Sequence, residues 1–334
     1  MFKKFIYAAI GVAVVAMPAF AETITLKFNS PAPPPSFLHS NVFRPWIEDV
    51  EKASNGTLKI QLFVGGTLGN FKVNYDRVVD GVADIGFILT SFANGKFKKL
   101  DVAELPFQSK NSVEAAYSLW NIYSKGLVDD EFDKVKALAI WTFPNAALHT
   151  KTKIESLNDL KGLRLATSNV STSKIVELLG GVPVTFSPAD TYEVISRGTA
   201  AGTLMPFTGM RIFKVSEVTS HHLDEPLGAA TALMFINKRK YDSLPPEARA
   251  ALDKFSYLPL SERTGKAVDA DWAQARASVD KSTNVLSPQE EQKWKEITQP
   301  VVAEWARSNP EGTTVLKAFQ DGIEQFRKNG GMKK

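Results

Sequence analysis

The sequence predicts an α/β protein built from two units, and three observations carry that reading. Segments whose apolar residues alternate with period two are followed by segments with apolar residues at helical spacing. The alternation starts afresh near Phe143, and beyond Lys240 the pattern turns helical almost to the last residue. At 334 residues with 44% hydrophobic composition, the chain is long enough to give each of two domains its own core.

Residues 1–21 stand apart from this pattern. Lys3 and Lys4 precede an apolar run over residues 5–17, and Ala19-Phe20-Ala21 places small residues around the expected cut. That is the layout of a secretory signal peptide cleaved after Ala21, with the mature chain starting at Glu22. The run falls short of the roughly 20 residues that span a bilayer, so a membrane anchor is the weaker reading.

From Glu22 onward each element has its own signature. Ile24, Leu26 and Phe28 alternate as a strand, residues 42–53 have helical spacing, residues 58–63 alternate again, and residues 73–81 read as a helix. Residues 82–89 and 135–142 are nearly continuous apolar runs, as in strands covered on both faces, with a helix over residues 113–123 between them. This order implies a mostly parallel sheet flanked by helices. The second unit holds a corner at residues 157–160, strands at 163–165, 182–185 and 202–205, and helices at 171–179 and 188–197, with Gly180-Gly181 closing the first helix. Pro245-Pro246 opens the helical region and Pro259 is expected to interrupt it; helices at 272–279, 289–305 and 314–327 follow. Pro33-Pro34-Pro35 forms a rigid loop suited to line a cleft.

Composition excludes several functions. With no cysteine the chain has neither disulfides nor thiolate chemistry. Once Lys3 and Lys4 are removed, 38 basic residues face 36 acidic ones, which leaves no electrostatic footprint for nucleic acid. The motifs of acyl transfer, phosphoryl transfer, zinc hydrolysis and dinucleotide binding are missing, so no enzyme activity and no cofactor are expected. His221-His222 reads as a solvated loop pair, because neighbouring residues point in different directions. His149 follows a buried strand and reads as an edge residue satisfied by backbone, although it could also bond a ligand. Gly65-Gly66-Thr67-Leu68-Gly69 reads as a tight turn. Phe71, Phe87, Phe92, Trp141, Phe143 and Phe207 fall at or just beyond strand ends, where open α/β sheets bind ligands.

Five motifs in order carry a resemblance. FVGGTLGN with DRVVDGVADIGF, ELPF at residues 104–107, DLKGLRL, LGGVPVTF, and Arg197 to Gly202 spaced R-G-x-x-x-G resemble the DctP-type solute receptors of tripartite ATP-independent periplasmic (TRAP) transporters. The resemblance implies a two-lobed periplasmic-binding-protein-like α/β fold with mixed sheets, hinge strands and a long hinge helix. It also implies a periplasmic, monomeric receptor that holds a small organic solute between its lobes and delivers it to membrane permease subunits. Lobe I is expected over residues 22–143 and 232–271, lobe II over 144–231 and 272–310, and a C-terminal helix and tail over 311–334. A sensor subunit, or an enzyme on the same scaffold, is the alternative.

Departures from the family pattern bear on the ligand. Where family members place an arginine that clamps an organic acid, this sequence has Ala166; a second arginine position is Ala146, an acidic-amide pair is Leu204-Met205, and a glutamate position is Leu89. Arg164 is no substitute, since it lies two residues deeper on the same strand face. The expected ligand-binding residues are Asn29, Phe87, Phe143, Ala166, Asn169, Met205 and Phe207, with Ser30 an alternative to Asn29 as the polar contact of the first lobe. The expected ligand is neutral, aromatic or weakly polar. An organic acid would need another anchor, for which His149, Lys151, Arg211 and the helix amides near Ser171 are the candidates.

Overall fold

The computed structural model describes residues 23–330, so the expected signal peptide and its cleavage point lie outside the described residues. The first half runs β1 (Ile24–Ser30), α1 (Arg44–Ala53), β2 (Leu58–Val64), α2 (Asn74–Val79), β3 (Ile85–Leu89), α3 (Ser112–Ser124) and β4 (Val135–Phe143). Next come β5 (Ala147–Thr150), β6 (Arg164–Thr167), α4 (Val170–Leu178), β7 (Val182–Thr185), α5 (Thr191–Ser196), β8 (Gly202–Met205), α6 (Phe207–Ile212) and β9 (His221–Leu223). The chain continues through β10 (Ala230–Asn237), α7 (Lys238–Ser243), α8 (Pro246–Phe255), α9 (Tyr257–Ser278), β11 (Thr283–Asn284), α10 (Pro288–Ser308) and α11 (Gly312–Lys328). None of these helices is long and apolar enough to cross a membrane.

Two sheets form, in the orders β2-β1-β3-β10-β4 and β11-β9-β5-β8-β6-β7. Both are mixed. β10 runs antiparallel to β3 and β4, and β5 runs antiparallel to β8 and β9. The alternation of strand and helix suggested a mostly parallel sheet because each of these strands directly follows a crossing between the sheets, with no helix before it to mark it. Residues 144–146 carry the chain from β4 to β5, and residues 224–229 bring it back from β9 to β10. The two crossings meet: Ala146 N–H donates to Gly228 O at 2.5 Å, and Leu227 N–H to Ala146 O at 3.4 Å.

The third link is α9, which joins two cores. Leu260 and Val268 pack among the residues of the first sheet, including Trp46, Phe87 and Trp141. Ala275 lies in the core of the second, with Trp272 against it. Pro259 does not interrupt this helix as expected, because it sits in the first turn, where an N–H would have no partner in any case. The break comes earlier, at Ser256 and Tyr257, and Tyr257 adopts φ 71°, a left-handed conformation costly for an aromatic residue.

α3 is flanked by α9 and α11, and both contacts depend on glycine. A Cβ on Gly265 of α9 would lie 3.0 Å from Val113 Cα, and one on Gly322 of α11 would lie 2.6 Å from Ser118 Oγ. Gly265→Ala is expected to cost about 1–3 kcal/mol through overpacking, against ~1 kcal/mol returned by alanine's better helix propensity, for a net destabilisation of up to about 2 kcal/mol. Denaturant unfolding checks this; an unchanged midpoint would mean that α9 can move away from α3 at no cost.

Candidate functional site

The crossings hold two facing walls apart, with a narrow cavity between them. The space open to the centres of water molecules is about 60 Å³, enough for a few waters or part of a small ring. On the first-sheet side the cavity is lined by Pro33, Ser36, Phe71, Phe87, Leu89 and Phe143. On the second-sheet side Thr167, Thr203, Leu204, Met205, Thr208 and Ile212 face them. No charged side chain lines the cavity among the described residues.

Strand register builds the first wall. Phe87 and Leu89 are two residues apart on β3 and so share a face. Phe143 ends β4 opposite Ala230, which places it where the chain crosses to the second sheet. Trp141 lies behind the wall, stacked on Phe87 with centroids 5.5 Å apart and an interplanar angle of 12°. Phe71 meets Phe87 edge-on at 5.9 Å and Phe92 at 5.8 Å. Such pairs fix ring positions beyond what burial alone achieves.

Asn29 supports this wall from behind. Its Nδ2 donates to Gly69 O at 2.8 Å and to Asn74 Oδ1 at 2.7 Å, and its Oδ1 accepts from Leu68 N–H at 3.3 Å. Asn74 in turn donates to Phe87 O at 2.7 Å. The pair thus ties the glycine-rich turn to the strand that carries Phe87. Pro33 is held through His39, whose ring bonds Ser30 Oγ at 2.8 Å and Pro34 O at 3.1 Å.

In the second wall Met205 lines the cavity at the end of β8. Ala166 is buried in β6 among the core residues of that lobe, and its carbonyl accepts from Thr203 Oγ1 at 2.9 Å. Asn169 caps α4, accepting from Thr172 N–H at 2.7 Å. Phe207 lies beneath the wall, edge-on to His149 at 4.9 Å and to Trp272 at 6.0 Å. Of the seven residues expected at the site, Phe87, Phe143 and Met205 therefore line the cavity together, while Asn29, Ala166, Asn169 and Phe207 lie around it. Sequence reading did not single out Thr208, Ile212 or Thr203 as lining residues. The signal for the first two was MPFTGM, a proline and a helix start directly after a buried strand.

His221 and His222 form part of β9 rather than a solvated loop. Pairing with β5 sets His222 opposite His149, and both are buried. Their Nδ1 atoms lie 2.8 Å apart, and His149 Nε2 is 3.0 Å from Met205 O. A carbonyl can only accept, so Nε2 of His149 carries the proton, its Nδ1 accepts, and His222 Nδ1–H donates. Burial, with the charge of His222 next in weight, lowers His149 to about 3; burial and then the charge of His221 lower His222 to about 4.

Two cations near this wall are occupied. Lys151 Nζ donates to Ile195 O at 2.8 Å, and Arg211 pairs with the buried carboxylate of Asp271.

Residues 28–309 match the family described as "Bacterial extracellular solute-binding protein, family 7", DctP. The chain belongs to this family. DctP-family relatives include the C4-dicarboxylate-binding periplasmic protein DctP of Rhodobacter capsulatus, 24% identical over 315 residues that cover 91% of this chain and 93% of the relative. A TRAP solute-binding protein from Rhodoferax ferrireducens, solved with copurified benzoate, superposes with a TM-score of 0.87 at 28% identity and covers 92% of this chain and 100% of its own. A marine-metagenome TRAP solute-binding protein specific for aromatic acids, solved with 3-hydroxybenzoate, gives a TM-score of 0.86 at 27% identity over 91% of this chain and 99% of that one. The DctP fold is two-lobed, and this chain is a solute-binding receptor of the TRAP type.

The histidine pair sets a pH dependence. Below pH 6.5 the unfolded chain protonates both rings, whereas the folded chain does not until about 4 and about 3. Through these two rings the unfolded state binds more protons across that window, so their contribution to stability is lost as pH falls from 6.5 towards 4. Burial pushes Glu104, Glu131, Glu225 and Asp269 up and gives contributions of the opposite sign. His222→Gln is expected to lower the slope of melting temperature against pH in this window; a slope equal to wild type would show that the pair contributes nothing to it.

Proposed function

We propose that this chain is a periplasmic receptor that encloses a small, neutral aromatic solute between its lobes and passes it to the membrane permease of a TRAP transporter. One observation carries the reading: among the described residues, aromatic and aliphatic side chains from both lobes line the cavity, with hydroxyls as the only polar side chains and no charged group. The solved relatives bound to benzoate and 3-hydroxybenzoate support a ring-sized solute. Here the acid-clamping position is Ala166, and each side chain considered as a replacement anchor is already engaged: His149 by Met205 O and His222, Lys151 by Ile195 O, and Arg211 by Asp271.

Energetics favour the neutral form. A carboxylate enclosed without a partner costs several kcal/mol, out of the roughly 8 kcal/mol that micromolar binding supplies in total. The receptor works as a monomer freed by cleavage after Ala21, with no covalent chemistry. Lobe I comprises residues 22–143 and 232–271, and lobe II residues 144–231 and 272–310. Solute contacts to Phe87 and Phe143 on one side and Met205 on the other favour the closed form, because they form together only when the lobes meet.

Calorimetric titration with benzyl alcohol and with benzoate tests the ligand class. The alcohol should bind at least about 100-fold more tightly, because a burial cost of several kcal/mol amounts to two or more factors of ten at about 1.4 kcal/mol each. Benzoate binding as tightly as the alcohol, or more so, would overturn the neutral reading.

A further inference from the structure

The hydroxyls of the cavity wall are not equivalent. Thr203 gives its proton to Ala166 O, Thr167 pairs with Ser173 Oγ at 2.7 Å, and Ser36 Oγ accepts from Leu38 N–H at 3.4 Å. Ser168 and Thr191 also line the cavity, but Thr208, on α6, is the wall hydroxyl that is both fully buried and without a hydrogen-bond partner among the described residues. Thr208 stands in the first turn of α6, and the residue four before it, Leu204, belongs to β8, so Thr208 has no helical carbonyl one turn earlier to bond back to. Burying a hydroxyl without a partner is costly, and of the nine buried side-chain atoms without a partner among the described residues, Thr208 Oγ1 alone belongs to a residue that lines the cavity. Among the neighbours of Thr208 in the wall, Met205 offers only a weakly accepting thioether, and Gly209 and Ile212 offer no side-chain donor or acceptor.

We infer that Thr208 is the specificity-determining polar contact of the site, and that the solute carries one uncharged hydroxyl or carbonyl group that pairs with Oγ1. The inference rests on the ring-binding reading above and narrows it to a ring bearing a single neutral polar substituent. A hydroxyl both donates and accepts, so Thr208 serves an alcohol, a phenol or a carbonyl equally well. A site that holds a buried hydroxyl discriminates against analogues that leave it unpaired.

The test compares benzyl alcohol with toluene, which lacks only the hydroxyl, on the exported chain and on its Thr208→Val and Thr208→Ser variants. Valine keeps the shape and removes the hydroxyl, and serine keeps the hydroxyl. The expected result is that Thr208→Val weakens benzyl alcohol about 3- to 10-fold while toluene binds as before or tighter, and that Thr208→Ser retains most of the wild-type ratio between the two. If Thr208→Val does not fold, Thr208→Ala carries the same comparison of ratios. A ratio unchanged by loss of the hydroxyl, with both compounds still bound, would overturn the assignment to Thr208 alone. Failure of both compounds to bind the wild-type chain would overturn the ring reading, and this inference with it.

Discussion

The architecture depends on the place where the chain leaves its first sheet and returns to it. Ala146 and Gly228 hydrogen-bond there, one on each crossing, and the neighbouring residues Phe143 and Ala230 face each other across β4 and β10 at the cavity. Gly228 has φ 96°, and a Cβ on it would lie 2.5 Å from Glu104 O, so the return crossing closes only around glycine. Glu104 then braces the strand that follows: its buried Oε1 accepts from Thr231 N–H at 2.9 Å, and burial pushes its carboxyl up to about 7. A shift of either crossing would move the floor of the cavity and the relation between its walls.

From that joint the site follows by register. β3 and β10 carry the first wall to the crossings, β8 and α6 present the second, and α9 ties the cores behind them. The result is an apolar cleft whose ring positions are set by rings deeper in the core. Trp141 sets Phe87 from one lobe, and the His149–His222 pair holds the Met205 carbonyl from the other. In the proposed function, selectivity comes from shape and from the absence of charge in the lining, because an ion entering a closed apolar cleft gives up its hydration without compensation.

Much of the fold was legible in the chain because it depends on local periodicity. β7 and β8 lie over the residues that alternation indicated, and α3, α10 and α11 within two or three residues of their expected limits. Elements defined by long-range pairing were harder to read. β5 and β9 are short, and their membership of a sheet depends on partners distant in sequence. For the same reason His222 looked like a loop residue: nothing nearby in sequence indicates that it faces His149. At the site, strand-end aromatics led to Phe87 and Phe143. Asn29 and Asn169 carry polar groups suited to a ligand, but spend them on a turn and a helix cap, which only their hydrogen bonds reveal.

We propose that binding comes from enclosing an uncharged ring between apolar walls. Calorimetry with the best binder from a panel of neutral ring compounds, run across a range of temperatures and at low and high salt, tests it most directly. The predicted result is a clearly negative heat-capacity change, as burial of apolar surface requires, with an affinity that does not change with salt. A heat-capacity change near zero together with an affinity that falls as salt rises would contradict it, since that combination marks a charge pair as the source of binding.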